Sequence, residues 1–137
     1  MIVIDTGVLV ALVDADDRWH EAARTLFDAD PDGWVLPWAI LPEVDYLLGA
    51  HVGRKAQAAF QDDLAAGAFI VEWGRKEDLS RARDLHRKHG RLHLGLVDGV
   101  VAAVAERLGA RAIATLDFRH FGALVLRGRP KLLPRDS

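Results

Sequence analysis

The chain has 137 residues, 50% of them hydrophobic and 28% charged, and it contains no cysteine. This length predicts one folded domain spanning 1–137, and the lack of cysteine excludes disulfides, zinc–thiolate sites and thiol catalysis. The formal net charge of -2 hides a division, because 1–32 is mainly acidic whereas 75–91 and 111–135 are mainly basic. Basic stretches can follow a phosphate backbone, although they are also typical of solvated helix faces.

The predicted elements alternate between strands and helices along the chain. The first apolar run, IVI, is entirely β-branched and predicts a buried strand, and Asp5 or Thr6 can cap the helix that follows. In chain order we predict a strand at 2–4, helices at 7–13 and about 19–27, a strand at 34–37, helices at 43–52 and 54–67, a strand at 68–73, helices at 76–90 and 96–109, and strands at 111–115 and 131–133. The alternation predicts a three-layer α/β sandwich with a mostly parallel central sheet of four to five strands.

Two of the predicted helices differ sharply in character. The helix at 76–90 is strongly charged, with a narrow apolar stripe of Leu79, Ala82 and Leu85, and we expect it at the surface. The helix at 96–109 is apolar on nearly every side and should be almost fully buried. It is nevertheless too short to span a bilayer, and no basic segment precedes the first apolar run, so we expect a cytoplasmic protein.

Four carboxylates occur where their apolar neighbours predict burial. Asp5 ends the first strand and Asp117 lies just past the strand at 111–115, so both point to the crevice beyond the carboxyl ends of a parallel sheet. Asp98 is the only charge in the first two turns of the apolar helix, and Glu43 begins another apolar helix. Each acid alone has an ordinary explanation as a helix cap, a turn residue or a complement to a helix dipole.

The four carboxylates together favour a bound cation. Several buried carboxylates raise one another's pKa unless a positive charge lies between them. Oxygen ligands without any cysteine suit Mg²⁺ or Mn²⁺, which are hard ions that also bind phosphate substrates. Serine hydrolysis has almost no candidate nucleophile, since serine occurs only at Ser80 and Ser137.

Three segments, in this order and spacing, resemble one family of nucleases. The segments are VIDTGVLVAL near the start, LPEVDYLL in the middle and LVDGVVAAVAERLGARAIATLDFRHF towards the end. They resemble the PIN-domain ribonucleases, and most closely the VapC toxins of type II toxin–antitoxin systems. The resemblance extends over nearly the whole chain, and the first and last segments are its most specific parts.

The resemblance implies an Mg²⁺- or Mn²⁺-dependent endoribonuclease that cuts structured RNA, such as a tRNA or ribosomal RNA loop. It assigns metal binding and catalysis to the four positions that burial had already singled out: Asp5, Glu43, Asp98 and Asp117. Thr6 and Thr115 match neighbouring hydroxyl residues that hydrogen-bond these acids. It also implies a homodimer and a cognate antitoxin that covers the active site. Gly99 stands where an alanine is common, and we expect it only to loosen the start of its helix.

RNA contacts are expected from basic residues near the last acid. Arg119 and His120 follow Asp117 directly, and Arg127, Arg129 and Lys131 lie slightly further on. Two other functions remain open. One is a catalytically inactive PIN fold that binds protein or RNA. The other is a haloacid-dehalogenase-like phosphatase, which would need a second Asp two positions after the first, where this chain has Gly7.

Overall fold

The structure, a computed structural model, describes the backbone of residues 1–137 and every side chain except that of Asp32. Within that description the chain forms five strands and seven α-helices. The strands are β1 (Ile2–Ile4), β2 (Trp34–Pro37), β3 (Ile70–Glu72), β4 (Ala112–Ala114) and β5 (Lys131–Leu133). The helices are α1 (Thr6–Val13), α2 (His20–Ala29), α3 (Leu41–Leu47), α4 (Arg54–Ala65), α5 (Lys76–Lys88), α6 (Leu96–Leu108) and α7 (Phe118–Ala123).

The strands form one sheet in the order β3-β2-β1-β4-β5, and every neighbouring pair is parallel. The predicted α/β class and parallel sheet are therefore confirmed. The chain first builds outward from β1 through β2 to β3, and then crosses back to place β4 on the other side of β1. The order reverses between β1 and β4, and in open parallel sheets a crevice forms at such a reversal, beyond the carboxyl ends of the strands.

Helices cover both faces of the sheet. Ile2, Val3 and Ile4 are all fully buried, and successive side chains in a strand point to opposite faces, so neither face of β1 is open to solvent. The apolar helix α6 lies against β1, β2 and β4, and all its residues from 99 to 105 are buried, as its composition predicted. No helix among the described residues is long and apolar enough to cross a membrane.

Helix α5 packs against α6 with most of its apolar stripe, but the first turn differs. Ala82 and Leu85 are buried as predicted, but Leu79 is 44% exposed, and Asp78 is buried in its place. The cause is Arg107 on α6, whose guanidinium donates to both carboxylate oxygens of Asp78, at 2.8 and 3.0 Å. A buried ion pair therefore occupies a position that the hydrophobic stripe had assigned to leucine.

Gly99 has a packing role that its sequence context did not indicate. A Cβ atom at this position would lie 2.9 Å from the Cβ of Ala82 on α5, which is closer than carbon atoms tolerate. The expectation that Gly99 only loosens the start of its helix is thus incomplete, because the missing side chain lets α5 and α6 approach closely at the level of the sheet's reversal point.

Candidate active site

A crevice of about 730 Å³ lies at the point where the strand order reverses. The four acids selected from the sequence all line it, although they come from widely separated parts of the chain: Asp5, Glu43, Asp98 and Asp117. The rest of its wall is small or apolar, with Leu47, Leu96 and Leu116 among the residues. Among the described side chains, no lysine or arginine lines the crevice.

Asp5 is the most buried of the four acids and is held by three hydrogen bonds. It follows β1 and caps α1, so its Oδ1 accepts the Thr6 backbone N–H at 2.8 Å. Its Oδ2 accepts the Thr115 hydroxyl at 2.8 Å, and its own N–H donates to the Ala114 carbonyl at 2.9 Å. Burial raises the pKa of Asp5, although the hydrogen bonds from Thr115 and Thr6 oppose that shift.

Asp98 sits in the first turn of α6, half-buried, with few groups to stabilise its charge. Its side chain is 22% exposed. Burial is the main cause that raises its pKa from 3.8 to about 7, and the charges of Asp5 and Asp117 add to it. Without a cation, the four carboxylates therefore cannot all be ionised easily. This agrees with the expectation from the sequence that the cluster favours a bound cation.

Asp117 caps α7, and both of its oxygens accept hydrogen bonds from His120. Oδ1 accepts the His120 backbone N–H at 3.1 Å, and Oδ2 contacts the ring Nδ1 at 2.6 Å. The other ring nitrogen, Nε2, is 2.7 Å from the Leu92 carbonyl oxygen. The hydrogen bond to Asp117 is the main cause that raises the pKa of His120, which favours an imidazolium donating from both nitrogens.

Glu43 reaches the crevice from the first turn of α3. Pro42 lies at the start of this helix, where the missing N–H of proline costs nothing. The charge of Glu43 contributes to the raised pKa values of both Asp5 and Asp98, although it is the smallest of the causes in each case. Glu43 therefore belongs to the same electrostatic group as the three aspartates.

The two threonines beside the acids act in different ways. The Thr115 hydroxyl donates to Asp5 and accepts the Asp117 backbone N–H at 3.0 Å, so one fully buried side chain links two acids. Thr6 serves Asp5 through its backbone N–H instead. Its own hydroxyl oxygen is buried and has no hydrogen-bond partner among the described residues.

The residues predicted to contact RNA do not form one group. Arg119 is exposed, whereas both ring nitrogens of His120 are occupied inside the protein. Arg127 and Arg129 line two other cavities. The interaction of His120 with Asp117 escaped sequence reasoning, although the spacing of three residues across a helix start was an available signal.

The arrangement can bind a divalent cation. One carboxylate oxygen of Asp98 and one of Asp117 lie within 4.8 Å of each other, and Asp5 and Glu43 line the same crevice. Carboxylate oxygens are the ligands that Mg²⁺ and Mn²⁺ prefer, and the crevice is open enough to admit a chain of phosphodiesters beside them.

Comparison with known proteins adds an independent result. The family model described as PIN domain matches residues 2–124. Ribonuclease VapC26 of Mycobacterium tuberculosis is 32% identical over 123 residues, which cover 90% of this chain and 91% of that protein.

Solved structures share the fold over nearly all of the chain. The crystal structure of Mycobacterium tuberculosis VapC20, described as a sarcin–ricin loop cleaving toxin, matches with a TM-score of 0.81 and 24% identity, covering 95% of this chain and 100% of its own. A toxin–antitoxin complex from Klebsiella pneumoniae matches with a TM-score of 0.68 and 18% identity, covering 90% of this chain and 92% of its own.

Proposed function

The chain belongs to the PIN-domain family, and from that membership we propose that it is an Mg²⁺- or Mn²⁺-dependent endoribonuclease toxin of the VapC type. The observation that carries the proposal is the meeting of Asp5, Glu43, Asp98 and Asp117 in one crevice. The name of the relative, Ribonuclease VapC26, supports the same reaction.

The residues of the crevice fit a hard divalent cation. The carboxylates supply only oxygen ligands, and a nearby 2+ charge would let Asp98 ionise at neutral pH, where its pKa of about 7 otherwise keeps much of it protonated. We propose that Asp5, Glu43, Asp98 and Asp117 hold the ion, directly or through water.

A bound divalent ion supplies charge neutralisation at the scissile phosphate and activation of water as the nucleophile. The protein supplies position. Asp5 is fixed by hydrogen bonds from Thr6 and Thr115, and Asp117 is fixed by His120, so these two carboxylates need little reorganisation when the substrate arrives. The apolar side chains of Leu47 and Leu96 border the acids on the wall of the crevice.

We further propose a structured cellular RNA as the substrate, such as a tRNA or ribosomal RNA loop, and a cognate antitoxin as the neutralising partner. The VapC20 structure is described as that of a sarcin–ricin loop cleaving toxin, and the Klebsiella structure as a toxin–antitoxin complex. A cytoplasmic homodimer is part of the same proposal. Purified protein that is monomeric and binds no antitoxin would contradict the partner part of it.

The decisive experiment compares Asp5→Asn with Asp14→Asn. Asp14 ends the same helix that Asp5 begins, outside the crevice, and its carboxylate only accepts the N–H of Asp16 in a local turn. We expect Asp5→Asn to lose RNA cleavage and toxicity while remaining folded, whereas Asp14→Asn keeps both. Equal cleavage by Asp5→Asn and the wild type, or no Mg²⁺- or Mn²⁺-dependent cleavage by the wild type, would favour the inactive binding module.

A further inference from the structure

His120 connects two parts of the crevice wall that are distant in sequence. Its ring Nδ1 lies 2.6 Å from Asp117 Oδ2, and its Nε2 lies 2.7 Å from the Leu92 carbonyl oxygen. Nε2 must donate to the carbonyl, because a carbonyl oxygen only accepts. The ring therefore spans the gap between the start of α7 and the loop at 90–95.

This loop leads directly into α6 and hence to Asp98. Gly95 caps α6, and Asp98 lies in the first turn of the helix, with its Oδ2 3.7 Å from the Nδ1 of His120. Any shift of the loop relative to α7 would therefore change the separation of Asp98 and Asp117. His120 is the side chain that holds that separation from both ends.

We infer that His120 is a positioning residue for the metal site proposed above, acting by holding Asp117 from a ring that the Leu92 carbonyl anchors, rather than by contact with RNA. The inference rests on the proposed function, because it assigns a task within that metal site. Hydrogen-bond partners of metal-binding carboxylates typically change metal affinity or activity by 10–100-fold when removed. The side chain is only 23% exposed and has no free ring nitrogen to offer a phosphate.

Two substitutions separate the two contacts of the ring. The amide nitrogen of Asn takes the place of the imidazole Nδ1, so His120→Asn keeps a donor for Asp117 and loses the one for Leu92. His120→Gln does the reverse, because its amide nitrogen takes the place of Nε2. The affinity for Mn²⁺ is measured by titration calorimetry, and the loop contact by hydrogen exchange of the amides at 90–95.

We expect His120→Gln to weaken Mn²⁺ binding by roughly 10-fold or more, whereas His120→Asn stays within about threefold of the wild type. Hydrogen exchange should show the opposite order, with faster exchange in the loop of His120→Asn. In RNA cleavage, His120→Gln should lower kcat with little change in KM. A residue that contacted RNA directly would instead raise KM, and would do so equally in both variants.

His86→Gln is the matched control. His86 on α5 holds the same loop through the Leu94 carbonyl, 2.7 Å from its Nδ1, but it contacts no acid of the crevice. We expect this variant to exchange faster in the loop and to bind Mn²⁺ as the wild type does. An equal loss of Mn²⁺ affinity in His86→Gln and His120→Gln would overturn the inference, since the loop alone would then account for the effect.

The remaining outcomes separate this inference from the proposed function. Suppose that the wild type binds Mn²⁺ and cleaves RNA, but that His120→Asn and His120→Gln bind Mn²⁺ with equal affinity to each other. Only the inference about His120 is then wrong. If the wild type binds no divalent ion at all, the proposed function is wrong and the inference falls with it.

Discussion

Thr115 donates its hydroxyl hydrogen to Asp5 at 2.8 Å, across 110 positions of the sequence. The two residues follow neighbouring parallel strands, β4 and β1, so the register of the sheet brings them together. The same hydroxyl accepts the backbone N–H of Asp117. One fully buried oxygen thus fixes the first and last acids of the crevice relative to each other.

Thr115→Val tests this link with almost no change in side-chain shape. Removing the hydroxyl leaves the buried carboxylate of Asp5 with one donor fewer, which should raise its pKa further and lower RNA cleavage by roughly 10–100-fold. Thr115→Ser keeps the oxygen and should retain most of the activity. Cleavage rates of the three proteins, with circular dichroism to verify folding, decide the matter, and a fully active Thr115→Val would contradict the role.

The second prediction concerns pH and the folding stability of the metal-free protein. The pKa of Asp98 is raised by burial, from 3.8 to about 7, so between these values the folded state binds a proton that the unfolded state has lost. The contribution of Asp98 to stability therefore falls as pH rises from about 4 to about 7. Asp98→Asn, which imitates the protonated acid, should match the wild type near pH 4 and be more stable at pH 8 by about 2 kcal/mol, roughly half of the full linkage value because water screens this partly exposed carboxylate.

Adding Mg²⁺ or Mn²⁺ at pH 8 should make the wild type more stable than Asp98→Asn. An ion that binds only the folded state stabilises it, by about 2.7 kcal/mol at 100 times its dissociation constant. Thermal melts with and without the ion should show a rise of about 5–10 °C for the wild type and a much smaller one for Asp98→Asn. A metal-free Asp98→Asn protein that is less stable than the wild type at pH 8 would contradict the burial argument.

The sequence was sufficient to predict the sheet and the meeting of the four acids. The sheet and the meeting of the two strand-end acids follow from one rule: strands separated by helices pair in parallel, and residues just after such strands meet at one edge. Asp5 and Asp117 satisfy that rule directly. The placement of Asp98 and Glu43 depended on a weaker argument. An isolated carboxylate at the start of an apolar helix is expected to face a positive charge, such as a bound cation, that offsets the cost of its burial.

Interactions between helix surfaces could not be predicted in the same way. His120 was predicted only as an RNA contact, whereas its ring reaches a backbone carbonyl 28 positions earlier, and a sequence pattern does not indicate which carbonyl a side chain will contact. Leu79 belongs to the apolar stripe but is 44% exposed, whereas its neighbour Asp78 is buried because it pairs with an arginine 29 positions away. Periodicity identifies which face of a helix is apolar, but not which charges find a partner at close range.

The buried ion pair gives a third prediction. Burial would raise the pKa of Asp78, but the Arg107 guanidinium, together with the backbone N–H and charge of Arg75, more than reverses this and holds the pKa below its usual range. Arg107 also donates to Glu72 at 2.7 Å, so it joins the edge strand β3 to α5 and α6. Arg107→Met would leave the buried carboxylate of Asp78 with the Arg75 backbone N–H as its remaining donor, and should lower the free energy of unfolding by about 3 kcal/mol, the lower end for such pairs because Arg107 is partly exposed.

Arg83→Met is the control for Arg107, because Arg83 and Asp84 form an ion pair in which both side chains are more than half exposed. Exposed pairs contribute little, so this variant should stay within about 0.5 kcal/mol of the wild type. Urea denaturation of the three proteins measures the difference. Equal stability of Arg107→Met and Arg83→Met would show that the charge of Asp78 does not need its buried partner.

The last prediction concerns the contact between α5 and α6. Gly99→Ala would place a methyl group 2.9 Å from the Cβ of Ala82, so the two helices must separate or distort, and the free energy of unfolding should fall by about 1–3 kcal/mol. Gly90→Ala serves as the control, since a Cβ there meets nothing within 4 Å. Ala82→Gly removes the opposing methyl group, so adding it to Gly99→Ala should cost less than the two single changes together. Strict additivity of the two changes in urea denaturation would exclude a direct contact, because residues that touch couple and distant ones do not.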